Sequence, residues 1–439
     1  MEKSIVMVAY HYPPAQASGT HRTLGFSRYL SDFGWKPLVL SAHPRAYECC
    51  DAGQGESIPH GTVVLRPFAL DTARHLSIKG RYARILAMPD RWSSWLLGAI
   101  PAGLWMIRRY RPKVIWSTYP IATSLLIGWF LSRWSGLPWV VDLRDPMVIG
   151  RHPVDPRIRR LFIRLEARIL GRCDRIVVTT PGLMELLQQR YPNLPREKWQ
   201  IIANGYDEDV FSDPEMVQAM AASSQQPGGD KILTLLHGGT LYTGREERNP
   251  AAFLDALTDL RGRGLIGSSQ ACADGGIRIQ VIFRATGHDG EINAMIQSRD
   301  LGDMVFLKPT LPYKESLLEM VGVDGLLLFQ GEAFDRLIPA KLFEYLRSGR
   351  PVFSLIGEGG DSRKILDSCK VSYHAPLENR ETIGEKFMIF LEDLVAGRVD
   401  ETQQNLVRRY SRREGARDLA ALLDDVLTGG TKKKMVRNF

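Results

Sequence analysis

Five stretches of this chain combine residue types that could do chemistry. Tyr12-Pro13-Pro14 and Gly19 lie in a loop of small residues, 10–22, that ends in Arg22. Small side chains let a ligand approach the backbone, the start of the following helix favours an anion, and Arg22 could add a charge. The loop is neither a dinucleotide-binding glycine motif nor a Walker loop. Asp142-Leu143-Arg144-Asp145-Pro146 follows a hydrophobic strand. Charges at the carboxyl end of a strand in an α/β sheet tend to serve a ligand; the alternative is an Arg144–carboxylate pair that only braces the loop. Asn204-Gly205-Tyr206-Asp207-Glu208-Asp209 mimics an acidic metal-binding triplet, but reads better as a solvated turn. His237-Gly238-Gly239-Thr240-Leu241-Tyr242 suits a backbone lying against a ligand. With Arg245 and Arg248 just beyond it, a phosphate site is plausible; the alternative is a glycine turn with two surface arginines.

The fifth stretch, 336–351, is the most informative. Pro339 suits a first helical turn, Gly349 a C-terminal cap, and Pro351 a stop. Lys341 and Glu344 are three apart and share a helix face, while Leu342 and Leu346 form an apolar one. A carboxylate near a helix start can accept two sugar hydroxyls, and the helix start itself can face phosphate. The plainer reading is a surface ion pair.

These stretches need a scaffold that ends strands in loops, and the pattern supplies one. Strands are predicted over 4–10, 36–40, 62–65, 113–117, 139–142, 175–179 and 200–202. Helices are predicted between them over 21–33, 95–110, 121–134, 158–173 and 182–190. A Ser/Gln/Pro/Gly-rich segment within 213–230 reads as a linker. A second series follows, with strands over 232–237, 278–284, 305–306, 325–329 and 351–355, helices over 250–261, 291–299, 313–321 and 339–348, and a long charged helix over 401–427. Repeated βα units imply parallel sheets covered by helices.

The chain has 439 residues, 44% hydrophobic and 24% charged. That balance excludes a disordered, collagenous or polytopic membrane chain. The five cysteines are scattered, with no CxxC pair, which excludes a disulfide framework or zinc site and fits a reducing cytoplasm. The apolar stretches 96–107 and 121–131 are too short to span a bilayer.

The ordered set of motifs resembles the glycosyltransferases of the GT-B fold, specifically the retaining family GT4, over residues 4–425. It comprises Tyr12-Pro13-Pro14 with Gly19, Asp142-Leu143-Arg144-Asp145-Pro146, Asn204-Gly205-Tyr206-Asp207, Gly239-Thr240-Leu241-Tyr242, and Lys341-Leu342-Phe343-Glu344-Tyr345 with Gly349 and Pro351. Bacterial transferases that build exopolysaccharide and O-antigen chains are the nearest in pattern. The resemblance implies an α/β protein with two Rossmann-like domains facing across a cleft: 1–212 on the acceptor side, 230–400 for the nucleotide-sugar, a C-terminal helix over about 401–428 packing back on the first, and a basic tail over 429–439. It implies a UDP- or GDP-linked sugar donor and a saccharide or lipid-linked acceptor. Gly19, Gly239, Thr240, Arg248, Lys341 and Glu344 would bind the donor, Glu344 through the ribose hydroxyls. Arg248 and Lys341 would neutralise the diphosphate, and Asp142 and Asp145 would serve the acceptor side. One departure stands out: where many members carry a second glutamate eight positions before Glu344, this sequence has Arg336. Arginine and helix starts can offset leaving-group charge, so no metal or other cofactor is expected. Retention rests on the resemblance alone.

Residues 74–113 hold nine Lys or Arg against the single Asp90, a net charge equal to the whole chain's formal +8. Tyr82, Trp92, Trp95, Trp105 and Tyr110 are interleaved. Basic and aromatic residues on helices read as a patch for the inner face of the cell membrane. With no recognised nucleic-acid motif, nucleic acid is not expected. The expectation is therefore a cytoplasmic, peripherally membrane-associated glycosyltransferase. The alternative is a non-catalytic binding or scaffold protein of the same fold, kept open by Arg336.

Overall fold

The computed structural model describes residues 3–50, 57–150, 153–223, 232–244, 248–399 and 403–436. Strand β1 (Lys3–Val8) is β-branched and apolar, and Ile5 to Val8 are fully buried, as expected of a strand covered on both faces. It opens a parallel sheet with β2 (Trp35–Leu40), β3 (Val63–Leu65), β4 (Val114–Thr118), β5 (Trp139–Leu143), β6 (Arg175–Val178) and β7 (Trp199–Ile201), in the order β3-β2-β1-β4-β5-β6-β7. The strand order reverses between β1 and β4, so the loops after these two strands part and open a crevice at the carboxyl ends of the strands. The helices Trp95–Tyr110 and Ala122–Ser135 pack closely where Gly103 carries no side chain, since a Cβ there would strike Leu131; Gly128 likewise lets the second helix sit on β4 and β5, since a Cβ there would strike Ser117 and Trp139.

The second sheet is also parallel. It holds β8 (Leu233–Gly238), β9 (Ile266–Gly267), β10 (Ile277–Arg284), β11 (Val305–Lys308), β12 (Gly325–Phe329), β13 (Val352–Leu355) and β14 (His374–Ala375). Its order is β11-β10-β8-β12-β13-β14, with β9 paired to β10. Phe253, Phe283, Phe329, Phe353, Phe387 and Phe390 fill its core. Their rings meet mostly edge to face, as Phe253–Phe329 and Phe283–Phe329 do at 5.5 and 5.8 Å, the arrangement that suits aromatic quadrupoles.

The chain divides into two units, Met1–Asn204 with Arg412–Phe439, and Gly205–Ser411. The boundaries differ from residues 212 and 400 for a local reason. Tyr206 is buried against Phe211 and pairs with Ser411 in an isolated bridge, so 205–212 goes with the second unit. The linker expected over 213–230 begins as the helix Pro214–Ser223; the remainder, 224–231, lies outside the described residues. The single helix expected over 401–427 is instead a short turn, Gln404–Val407, and a helix Arg412–Val436 that runs past residue 428. Leu419, Leu423 and Val426 of that helix belong to the first unit's core. Helices Asp361–Ser368 and Arg380–Ala396 had no counterpart in the sequence reading.

The acidic triplet is no solvated turn. Asp207 is buried, and Glu208 pairs with Arg347 at 2.8 Å. The basic segment is partly internal. Trp95 is fully buried, Arg91 pairs with Glu48 and with Asp71, and Arg74 donates to the Tyr47 carbonyl. Arg91 is half-buried, while the other eight basic residues of 74–113 are exposed.

Candidate functional site

In the second unit, β8 ends at Gly238 and the chain turns through Gly239, Thr240 and Leu241. Gly239 takes φ +110°, a conformation open to glycine. The turn is pinned to the end of β10: Gly239 N–H donates to the Arg284 carbonyl at 2.8 Å and Leu241 N–H to that of Thr286 at 3.1 Å. Arg284 is itself fixed by Glu319 and the Pro309 carbonyl.

The helix Lys341–Ser348 docks on this turn with one face. Lys341 Nζ donates to the Gly238 carbonyl at 2.6 Å and meets His237 Nε2 at 3.1 Å. One turn on, the Tyr345 hydroxyl accepts from Gly238 N–H at 3.0 Å. The helix thus holds both polar groups of Gly238. A side chain at Gly239 would press on Lys341 Nζ, 3.1 Å from an added Cβ. His237 is fully buried, and its Nδ1 lies 2.8 Å from the Leu327 carbonyl. A carbonyl only accepts, so Nδ1 carries the proton and Nε2 accepts from Lys341. Burial, with Lys341 and then Arg248 as neighbouring charges, holds the imidazole's pKa well below its usual value. Burial first, and Arg248 second, likewise push the Lys341 amine well below the ordinary lysine range, with Glu344 opposing them.

Glu344 lies on the same side of this helix, half-buried, and accepts from the Tyr313 hydroxyl at 2.7 Å. Arg248 lies with its guanidinium over the Phe334 ring at 5.1 Å. Phe334 stands on the loop 331–337, which Gln330 clamps by donating to the Phe334 and Leu337 carbonyls at 2.6 and 2.8 Å. Arg336 is exposed on that loop. The structure therefore gathers Gly239, Arg248, Lys341 and Glu344 around one turn, with Thr240 next along it. Arg245 lies outside the described residues. Sequence reasoning missed His237, Tyr345 and Tyr313 as partners. The i to i+4 spacing of Lys341 and Tyr345 was the available signal.

The first unit is built differently. Asp142 is fully buried, and Arg22 grips it in a fork, Nη2 to Oδ1 at 2.7 Å and Nε to Oδ2 at 3.1 Å. Thr118 Oγ1 donates to Oδ2 at 2.7 Å. Arg22 also reaches the Ile202 and Ala203 carbonyls, both at 2.9 Å. Asp142 therefore ties β4, β5 and the chain after β7 to the first helix. Its oxygens are committed to Arg22 and Thr118 and shielded from solvent, an arrangement that suits a brace better than the expected acceptor-side role. The alternative reading, a brace on a carboxylate, has its counterpart in the Arg22–Asp142 pair. Arg144 spans the neighbouring loops instead, donating to the Tyr119 carbonyl at 2.7 Å and the Gly19 carbonyl at 2.9 Å. Gly19 has room for no side chain, since a Cβ would lie 2.9 Å from His11 and 3.1 Å from Arg144. Asp145 remains half-buried on the loop after β5. Burial, then Arg144, lowers the His11 pKa to about 4.

Residues 19–205 match a family model described as a glycosyl transferase 4-like domain. No curated protein matches the sequence. Among solved structures, the chain is similar to sucrose-phosphate synthase from Thermosynechococcus elongatus, at 15% identity and TM-score 0.62, with 99% of each chain covered. It is similar to Anabaena HepE in complex with UDP-glucose, at 13% identity and TM-score 0.63, covering 96% of this chain and 99% of that one. It also resembles the lipopolysaccharide outer core galactosyltransferase WaaB in its apo form, at 11% identity and TM-score 0.56, covering 97% and 99%. At such identities the likeness is one of fold.

Proposed function

We propose that this chain, whose residues 19–205 match a glycosyl transferase 4-like domain and whose fold is like that of sucrose-phosphate synthase and HepE, is a glycosyltransferase of the GT-B type, and that the turn after β8 is where it holds a UDP- or GDP-linked sugar. The observation that carries this reading is the convergence of Arg248, Lys341 and Glu344 on the Gly238-Gly239 turn. Two cationic side chains and a glycine backbone suit a diphosphate. A half-buried carboxylate on the same helix suits the ribose hydroxyls.

In this reading the leaving diphosphate gains charge as the glycosidic bond breaks, and Arg248 meets that charge. Lys341 adds a second cation once the anion has raised its proton affinity. Glu344 orients the nucleoside and Tyr313 orients Glu344. The residues supply this charge from the chain itself, so the proposed reaction uses no metal or other cofactor. Asp145 is the acceptor-side carboxylate that keeps a place in the reaction.

The acceptor is proposed to be a lipid-linked saccharide in cell-surface polysaccharide synthesis, met at the inner face of the cell membrane, with retention of configuration. The likeness to WaaB, a lipopolysaccharide galactosyltransferase by name, and to HepE with UDP-glucose supports the choice of acceptor and donor classes. Incubating the protein with UDP-glucose, UDP-N-acetylglucosamine or GDP-mannose and a lipid-linked saccharide tests it. Acceptor-dependent release of UDP or GDP is expected. Tight nucleotide-sugar binding with no release would favour the non-catalytic alternative, in which exposed Arg336 replaces a sugar contact.

A further inference from the structure

Two segments far apart in sequence form one amphipathic surface on the first unit. The first, 76–86, leaves Ile78 80% and Ile85 77% exposed. The second begins at Val154, 74% exposed, and continues into the helix Pro156–Arg172. The two meet where Arg84 Nη1 lies 3.8 Å from Asp155 Oδ2. Asp155 also caps the helix, accepting from Arg157 N–H at 2.8 Å. Ile85 and Val154, both strongly exposed, are next in sequence to that pair.

Exposed cations accompany these side chains on both segments. Lys79, Arg81 and Arg84 are exposed on the first segment, and Arg157, Arg160 and Arg164 on the second. The last three recur every three or four residues, which places them on one face of the helix. No Asp or Glu occurs between residues 72 and 89, and from 156 to 172 the only one is Glu166. Glu166 is fully buried and occupied by Arg190 and Tyr191. Within the two segments, Asp155 is thus the one carboxylate that is not buried, and it is engaged by the cap and by Arg84.

Solvent does not reward three exposed aliphatic side chains, and neither does a phosphodiester backbone, which would be met by arginine with stacking aromatics. An anionic lipid surface rewards both components, taking the aliphatic knobs below the headgroups and the cations beside them. We infer that residues 76–86 and 153–164 together form a docking platform for an anionic lipid bilayer. The platform stands on these residues; its purpose, to bring the enzyme to a lipid-linked acceptor, rests on the proposed function. The helix adjoins the loop that carries Asp145, so docking here brings the acceptor-side loop to the lipid.

The test uses the full chain and vesicles of phosphatidylcholine alone or with about one-third phosphatidylglycerol. The native protein is expected to sediment with anionic vesicles at low salt, less at high salt, and not with neutral ones. The triple variant Arg157→Glu, Arg160→Glu, Arg164→Glu is expected to lose about 100-fold in partition, each basic residue being worth roughly fivefold near such a surface. The variant Ile78→Ser, Ile85→Ser, with all charges kept, is expected to lose binding as well, which separates a platform from a merely basic patch. Failure of the native chain to sediment, or undiminished binding by both variants, overturns the inference, as does salt-sensitive binding to poly(U) without vesicle binding. UDP-glucose and GDP-mannose calorimetry on the same samples is independent of it: vesicle binding with neither donor bound would sink the donor-site reading and leave the platform standing.

Discussion

Replacing Asp142 by asparagine separates two roles that a sequence motif cannot. The carboxylate accepts from Arg22 Nη2 at 2.7 Å, Arg22 Nε at 3.1 Å and Thr118 Oγ1 at 2.7 Å, with no solvent exposure. Removing one partner of a buried, hydrogen-bonded pair costs about 3–5 kcal/mol, because the other charge stays behind. Arg22 keeps the Ile202 and Ala203 carbonyls, and the asparagine keeps one acceptor oxygen. The lower end, about 3 kcal/mol, is therefore expected. With a urea slope of about 2–3 kcal/mol/M, the midpoint of the first unit's transition should fall by about 1 M. Urea unfolding followed by tryptophan fluorescence reads this directly, since Trp35, Trp95, Trp116 and Trp139 are all buried in that unit. Donor affinity, measured by calorimetry on the folded variant, should stay at the native value. A variant of native stability that had lost turnover would refute the bracing role and return Asp142 to the chemistry.

Three further outcomes follow from the described geometry. Glu344→Ala should weaken nucleotide-sugar binding by about 1.5–3 kcal/mol, the value of hydrogen bonds to a charged acceptor; an unchanged dissociation constant would remove the ribose role. Lys341, whose amine is pushed well below the usual lysine range by burial and then Arg248, should take up a proton when a diphosphate arrives, so its binding enthalpy below the ordinary lysine pKa should vary with buffer ionisation enthalpy, and Lys341→Met should abolish that variation. His11 has its pKa lowered to about 4, chiefly by burial, so the unfolded chain binds the extra proton first as pH falls below about 6.5. Stability should therefore be full above that pH and decline toward pH 4, by about 2 kcal/mol at pH 5. His11→Asn should flatten this part of the pH profile in urea unfolding.

The scaffold was legible because buried parallel strands are nearly continuous apolar runs, such as 4–8 and 325–329, and because Gly34, Gly136 and Gly349 stop helices in the left-handed conformation. The donor-side motif was legible for a similar reason: helical spacing alone places Lys341 and Glu344 on one face. What escaped were partnerships across the sheet. Nothing local says that Arg22 rather than Arg144 reaches Asp142, 120 residues away, or that His237 meets Lys341. The helix Arg380–Ala396 escaped although Asn379 caps it through Thr382 N–H and Gly397 ends it. The arginine row of Pro156–Arg172 was not singled out from the sequence, and nothing local says that Arg84 reaches Asp155 at its start.

The first unit is assembled from both ends of the chain, and that has a temporal consequence. On the ribosome, residues 1–204 emerge about two hundred residues before Arg412–Val436. Until then Trp35 Nε1 lacks its acceptor, Asp424 Oδ1 at 3.0 Å, and Leu24, Phe26 and Ile202 lack the cover of Leu419 and Leu423. The second unit, continuous from Gly205 to Ser411, has all its strands before that helix is made. Translation therefore favours completion of the later-encoded unit first, while the earlier one waits with an uncovered apolar face, a state in which nascent chains recruit chaperones. A nonsense codon near residue 411 would leave the donor-side residues intact yet strand the first unit in that waiting state.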